Sequence, residues 1–172
     1  MSGKRRLPVL QPKEDEGEPR PPWHWSVIGA VATLLGWIPL AMLAQLGVQR
    51  MLARAGGEDP AAGFQALSPG ERLTLSLLIV LGPMLALAIA AFLGGLLIGR
   101  FGGAAGPKEA TVAGIGAAGL ACFVVALQLI AQGGLMNFLL TAVVVVILAA
   151  LTARGGALVG RRLRARSTRD LR

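Results

Sequence analysis

The sequence predicts an all-α fold: a polytopic integral membrane protein with four transmembrane helices and both termini in the cytoplasm. Three observations carry that expectation. First, four stretches, Ser26–Leu46, Leu73–Ile98, Ala110–Ile130 and Leu135–Thr152, contain no Asp, Glu, Lys or Arg and together make half of the 172-residue chain. Each reaches the roughly 18 residues that carry a helix across a hydrocarbon layer of ~30 Å. Second, the charges fall between and outside these stretches, where ions avoid the cost of entering hydrocarbon. Third, the basic residues are shared unequally between alternate links, and that inequality orients the spans.

Composition agrees. Mean hydropathy is +0.64, and 15% of residues are charged, below the about 25% of an average soluble domain. A water-soluble bundle needs a polar face on each helix, and these stretches have none. The single cysteine, Cys122, excludes an intramolecular disulfide and reads as a small core residue of the third span.

Taken in order, residues 1–22 form a tail that is basic at Lys4, Arg5 and Arg6 and acidic at Glu14, Asp15, Glu16 and Glu18. Its prolines and charge predict a disordered, water-exposed segment. Trp23 and Trp25 bracket His24 where the first span (26–46) begins, since an indole combines an apolar ring with an N–H that seeks the headgroup layer. Pro39 predicts a kink in that span. A cleaved signal peptide is the competing reading, but the apolar stretch is longer than the usual ~7–15 residues, and Ala53–Arg54–Ala55 lies too far beyond it to serve as a cleavage site.

The longest link is broken by Gly56–Gly57–Glu58–Asp59–Pro60. A helix start follows: Ser68 can cap, Pro69 suits the first helical position, and Glu71 completes a capping box. The second span (73–98) contains Pro83. Pro107 and Glu109 mark the start of the third helix (span 110–130), with Arg100 and Lys108 near enough in sequence to pair with Glu109. Gly133–Gly134 sits in a short uncharged turn before the fourth span (135–152). Residues 154–172 form a basic tail into which the last helix can continue.

The N-tail, the second link and the C-tail together carry fourteen basic residues, against three (Arg50, Arg54, Arg72) in the other two links. The positive-inside rule therefore predicts cytoplasmic termini.

Small residues form two stripes. Gly95, Gly99 and Gly103 recur at four-residue spacing, and Ala110, Gly114 and Ala118 do the same in the third span, with Gly116 and Gly119 nearby. Such stripes let helix backbones approach closely. The tight link between the second and third spans makes their mutual packing the first expectation, and a homomeric or partner interface the alternative.

Polar residues within the spans are few, and Gln45 and Gln128 are the candidate intramembrane contacts. Helix–helix hydrogen bonding is their simplest role, a solute path the alternative. No acidic or basic residue lies within a span, which argues against ion-coupled transport. His24 has no Asp, Glu or Cys beside it in a recognisable catalytic set. There is no Walker loop, dinucleotide fingerprint or HExxH motif, so no catalytic, cofactor-binding or metal-ligating residue is assigned and no cofactor is expected. Arg161, Arg162, Arg164 and Arg166 form the strongest contact surface, placed to attract anionic lipid at about 1 kcal/mol per basic residue. An acidic protein partner is the alternative. Nucleic acid is not expected, because basic charge alone reads no base.

The run Gly94–Gly95–Leu96–Leu97–Ile98–Gly99–Arg100, the Gly-rich turn, and Lys108–Glu109–Ala110–Thr111–Val112–Ala113–Gly114 resemble small four-helix, glycine-rich bacterial inner-membrane proteins of unknown function. The resemblance covers about residues 73–130. It implies a bacterial inner-membrane location and carries over no catalytic residue. Small size, four compact spans and little soluble mass then favour a non-enzymatic membrane subunit or assembly (scaffold) protein, acting through helix packing with other subunits or itself and through the basic tail. A small oligomeric channel or transporter is the alternative, and a membrane enzyme lacks the reactive groups it would need.

Overall fold

A computed structural model describes residues 22–56, 60–130 and 135–169, with the side chains of 22–54, 61–127 and 138–167. Five helices account for nearly all of them: α1 (Trp23–Gly56), α2 (Pro60–Ala66), α3 (Pro69–Phe101), α4 (Pro107–Ile130) and α5 (Leu135–Arg169). No strand occurs among the described residues. Helices α1, α3, α4 and α5 are each long and apolar enough to cross a membrane. The chain is an all-α, four-span architecture. Most of the N-terminal tail, the Gly133–Gly134 turn and Arg172 lie outside the described residues.

Local chemistry sets the helix ends. At the start of α3, Ser68 Oγ accepts the Glu71 N–H at 3.4 Å, and the Ser68 N–H donates to Glu71 Oε2 at 2.9 Å. That is the capping box anticipated at Ser68 and Glu71. Arg72 bonds the carbonyls of Leu67 and Gln65, tying α3 to the end of α2. The α3–α4 turn needs Gly103, whose φ of 61° an L side chain rarely adopts. Pro107 then opens α4, and Glu109 Oε2 accepts the Gly106 N–H at 2.6 Å. Glu109 thus holds the backbone of its own turn, where sequence proximity suggests pairing with Arg100 or Lys108.

Helix α5 runs on past Thr152 through Arg154 and Gly155–Gly156 to Arg169, the continuation into the basic tail that the sequence allows. Arg154 is exposed, so its charge can reach outward along the helix surface without interrupting the backbone hydrogen bonds. Consecutive helices α3 and α4, expected to pack first on each other, meet less than either meets α5 or α1: α5 packs along both of them, and α1 along both from another side. The small faces of α3 and α4 turn toward α5 rather than toward each other.

Packing differs between the two ends of the bundle. At the end bearing the α3–α4 turn, Ile98, Ala105, Ala110, Ala113 and Ala157 form a core of mostly small residues, with Trp25 and Ala30 against it. Leu87, Ala91, Ala118, Ala149 and Ala153 continue this core, flanked by Trp37. At the far end, α2 packs on α1, and Leu67 of the α2–α3 link joins Val48 of α1 and Leu75 of α3. Outward faces are largely apolar: Leu35 is 66% and Leu140 70% exposed. Large apolar side chains left unburied along the spans suit a hydrocarbon surrounding, which asks nothing polar of them.

Candidate functional site

Two features combine at the end of the bundle that carries the α3–α4 turn: a backbone-to-backbone seam and a cluster of arginines. The seam is made by α3 and α5, which run parallel. A Cβ built on Gly95 would overlap the Ala153 carbonyl, and one on Gly99 would overlap that of Ala157. The fit is reciprocal, because a Cβ on Gly156 would strike the Phe92 carbonyl and one on Gly160 the Leu96 carbonyl. Each helix therefore supplies glycines at four-residue spacing to the other's backbone, the close approach that drives association where no water is displaced. Helix α4 joins on the next face of α5: a Cβ on Gly114 would lie 2.6 Å from the Ala149 carbonyl oxygen, and Ala118 is fully buried.

Of the expected packing residues, Gly95, Gly99, Gly114 and Ala118 thus meet around α5. Gly103 does not join them. It lies past the end of α3, and a Cβ added there would meet nothing within 4 Å. Its four-residue spacing continues the stripe in sequence only, and its role is the left-handed turn. Gly116 and Gly119 also face open space. Sequence reasoning missed Ala149, Ala153, Ala157, Gly156 and Gly160. Their signal is the same four-residue spacing, hidden because Arg154 ends the uncharged run within it.

Helix α1 closes the seam from outside. Thr33 is buried and donates its hydroxyl to the Gly29 carbonyl at 2.8 Å. Gly94 faces this side chain, and a Cβ there would overlap Thr33 Oγ1. No buried side-chain nitrogen or oxygen among the described residues lacks a hydrogen-bond partner.

The arginine cluster caps this end. Arg161, Arg162, Arg164 and Arg166 are all exposed on the last turns of α5. Arg164 Nη1 donates to the Gly103 carbonyl at 2.9 Å. Arg161 Nη1 lies 3.3 Å from where a Cβ on Gly106 would stand, and Glu109 Oε2 lies 3.8 Å from the same point. Between α5 and the turn is an open cleft of about 400 Å³ lined by Gly103, Arg161, Arg164 and Ala165.

Away from this end, the helices separate around a cavity of about 630 Å³ whose lining includes Trp37, Pro83, Leu87, Cys122, Thr141 and Val145. Trp37 Nε1 donates across to the Pro83 carbonyl at 3.3 Å. Gln45 is exposed on α1. Gln128 is in α4, and its side chain lies outside the described residues, so no contact between the two is assigned. Among the described residues, no three of His, Cys, Asp and Glu gather where they could share a metal ion. His24 lies beside Trp25, ring centroids 5.8 Å apart.

Fold and site together define a multi-pass helical membrane protein packed through glycine and alanine, with an arginine-rich end. No protein-family model matches the chain, and no curated protein or solved structure matches it.

Proposed function

We propose that this chain is a non-enzymatic subunit or assembly protein of a bacterial inner membrane, with both termini cytoplasmic, acting through helix packing and its basic end. The observation that carries the reading is how the interior is filled. Where the four helices converge, backbone packs on backbone at Gly95–Ala153 and Gly156–Phe92, and the buried hydroxyl of Thr33 bonds within its own helix. At this seam the interior is filled, and no buried polar side-chain atom among the described residues is left without a partner, while the outer apolar faces and the basic end face lipids and other subunits. The cytoplasmic assignment rests on the imbalance of basic residues, fourteen on the side of the tails, and the bacterial inner membrane on the resemblance of residues 73–130.

Purification in mild detergent with identification of stoichiometric membrane partners tests this reading. A partner complex that survives re-purification supports it. Solute flux by the purified protein in liposomes would replace it with the channel or transporter reading. Orientation is tested separately, in a Cys122→Ser background, by Ser167→Cys: the new thiol should resist impermeant maleimide in intact cells, and efficient labelling would reverse the topology.

A further inference from the structure

We propose that the cleft between α5 and the α3–α4 turn is a discrete binding site for the headgroup phosphate of an anionic phospholipid, held by Arg161 and Arg164. This deepens the reading of the basic end as a lipid contact and rests on it. A basic tail that merely attracts a charged surface uses its arginines interchangeably. The geometry here does not treat them alike.

Depth comes first. Trp25 packs against the cluster containing Ala105, Ala110 and Ala157, and an indole is at home in the headgroup layer. Arg161 follows Ala157 by four residues, about 6 Å further along the helix axis, and Arg164 by about 10 Å. The cleft therefore lies just outside the Trp25 level, at the depth of lipid phosphates.

Direction comes next. Arg161, Arg164 and Ala165 share the face of α5 that meets the turn and lines the cleft. Arg162 and Arg166 are turned away from Arg161 by about 100° and 140°. Arg164 is positioned by its bond to the Gly103 carbonyl, 2.9 Å, in the turn where Gly103 takes a φ of 61°. A guanidinium carries five N–H donors in a fixed fork, so it can hold a carbonyl and a phosphate together.

Charge completes the match. The carboxylate beside Arg161 is Glu109, already bonded to the Gly106 N–H at 2.6 Å. Lys108, exposed on the first turn of α4, is its neighbour in sequence. Two guanidinium groups lining the cleft, against one nearby carboxylate already bonded to its own turn, leave it positive and complementary to a phosphodiester.

A charge-matched comparison tests the site. The full chain, purified in detergent, is exposed to mixed micelles containing phosphatidylglycerol or phosphatidylcholine, and bound lipid is counted by native mass spectrometry. R161Q/R164Q should retain phosphatidylglycerol at least about tenfold more weakly than R162Q/R166Q, although each removes two charges. Equal weakening by both pairs would overturn the discrete site while leaving a general lipid contact at the basic end. No weakening by either would overturn both. Displacement of phosphatidylglycerol by millimolar inorganic phosphate would overturn a lipid as the occupant. Should R161Q/R164Q lose its fold, R161K/R164K asks the same question with charge retained. The loss of forked donors should then cost about threefold in retention, and unchanged retention would overturn the site.

Discussion

The two ends of the bundle solve the same problem with different materials. Toward the α3–α4 turn, glycine and alanine bring helix backbones into contact, and a Cβ added at Gly95, Gly99, Gly156 or Gly160 has nowhere to go. Toward the far end, bulkier residues and Pro83 separate the helices around a cavity of about 630 Å³. In water, both would gain from expelling solvent. In hydrocarbon that gain is absent, so association depends on how closely surfaces fit. The glycine-packed end is accordingly the part that holds the four helices together, and the far end is free to be looser.

The largest expected effect tests that division directly. Gly95→Leu or Gly156→Leu forces a side chain into the backbone of the opposing helix and should destabilise the bundle by about 3 kcal/mol. Gly116→Leu and Gly119→Leu add the same bulk on α4, where nothing lies within 4 Å, and should stay within about 0.5 kcal/mol of the parent. Reversible unfolding in mixed micelles measures both. Similar effects at all four positions would mean that glycine serves local helix geometry and not the seam.

The contrast explains what was legible before the structure. Four helices could be read from uncharged length, and the starts of α3 and α4 from Ser68, Glu71 and Pro107, because capping chemistry is local. The glycines of α3 and α4 could be read as packing residues, but not their partner. Spacing says that a helix has a smooth face and is silent on which helix will fill it. Proximity along the chain pointed Gly95 and Gly114 toward each other, yet both receive α5. The half of that seam contributed by α5 was concealed by Arg154, since a charge ends an uncharged run in the sequence without ending a helix. The pairing of Arg164 with Gly103 was likewise out of reach, because the two are 61 residues apart.

A smaller effect separates tight from loose packing within one helix. Ala149 and Ala142 are both on α5, seven residues apart and so on nearly the same face. Ala149 is fully buried, whereas Ala142 lines the cavity. Ala149→Leu should cost about 2 kcal/mol through overpacking, while Ala142→Leu fills empty space and should be neutral or stabilise by up to about 1 kcal/mol. The same unfolding measurement reads both. Equal destabilisation would show the far half to be as closely packed as the near half.

The smallest effect compares two hydrogen bonds. Trp37 at the far half bonds across from α1 to the Pro83 carbonyl of α3, at 3.3 Å. Thr33 at the near half bonds the Gly29 carbonyl of its own helix, at 2.8 Å. Trp37→Phe keeps an aromatic ring against the cavity and removes only the donor, so it should weaken helix association by about 0.6 kcal/mol, the average for such bonds in membranes. Thr33→Val keeps the shape that faces Gly94 and removes a bond that no second helix shares. Its effect on association should be smaller than that of Trp37→Phe even though its bond is shorter. The discriminating quantity is the difference between the two: where backbones already touch, fit holds the helices, and where they part, a single indole N–H has more to do. A larger loss from Thr33→Val would place polar bonding, not close packing, at the centre of the near half.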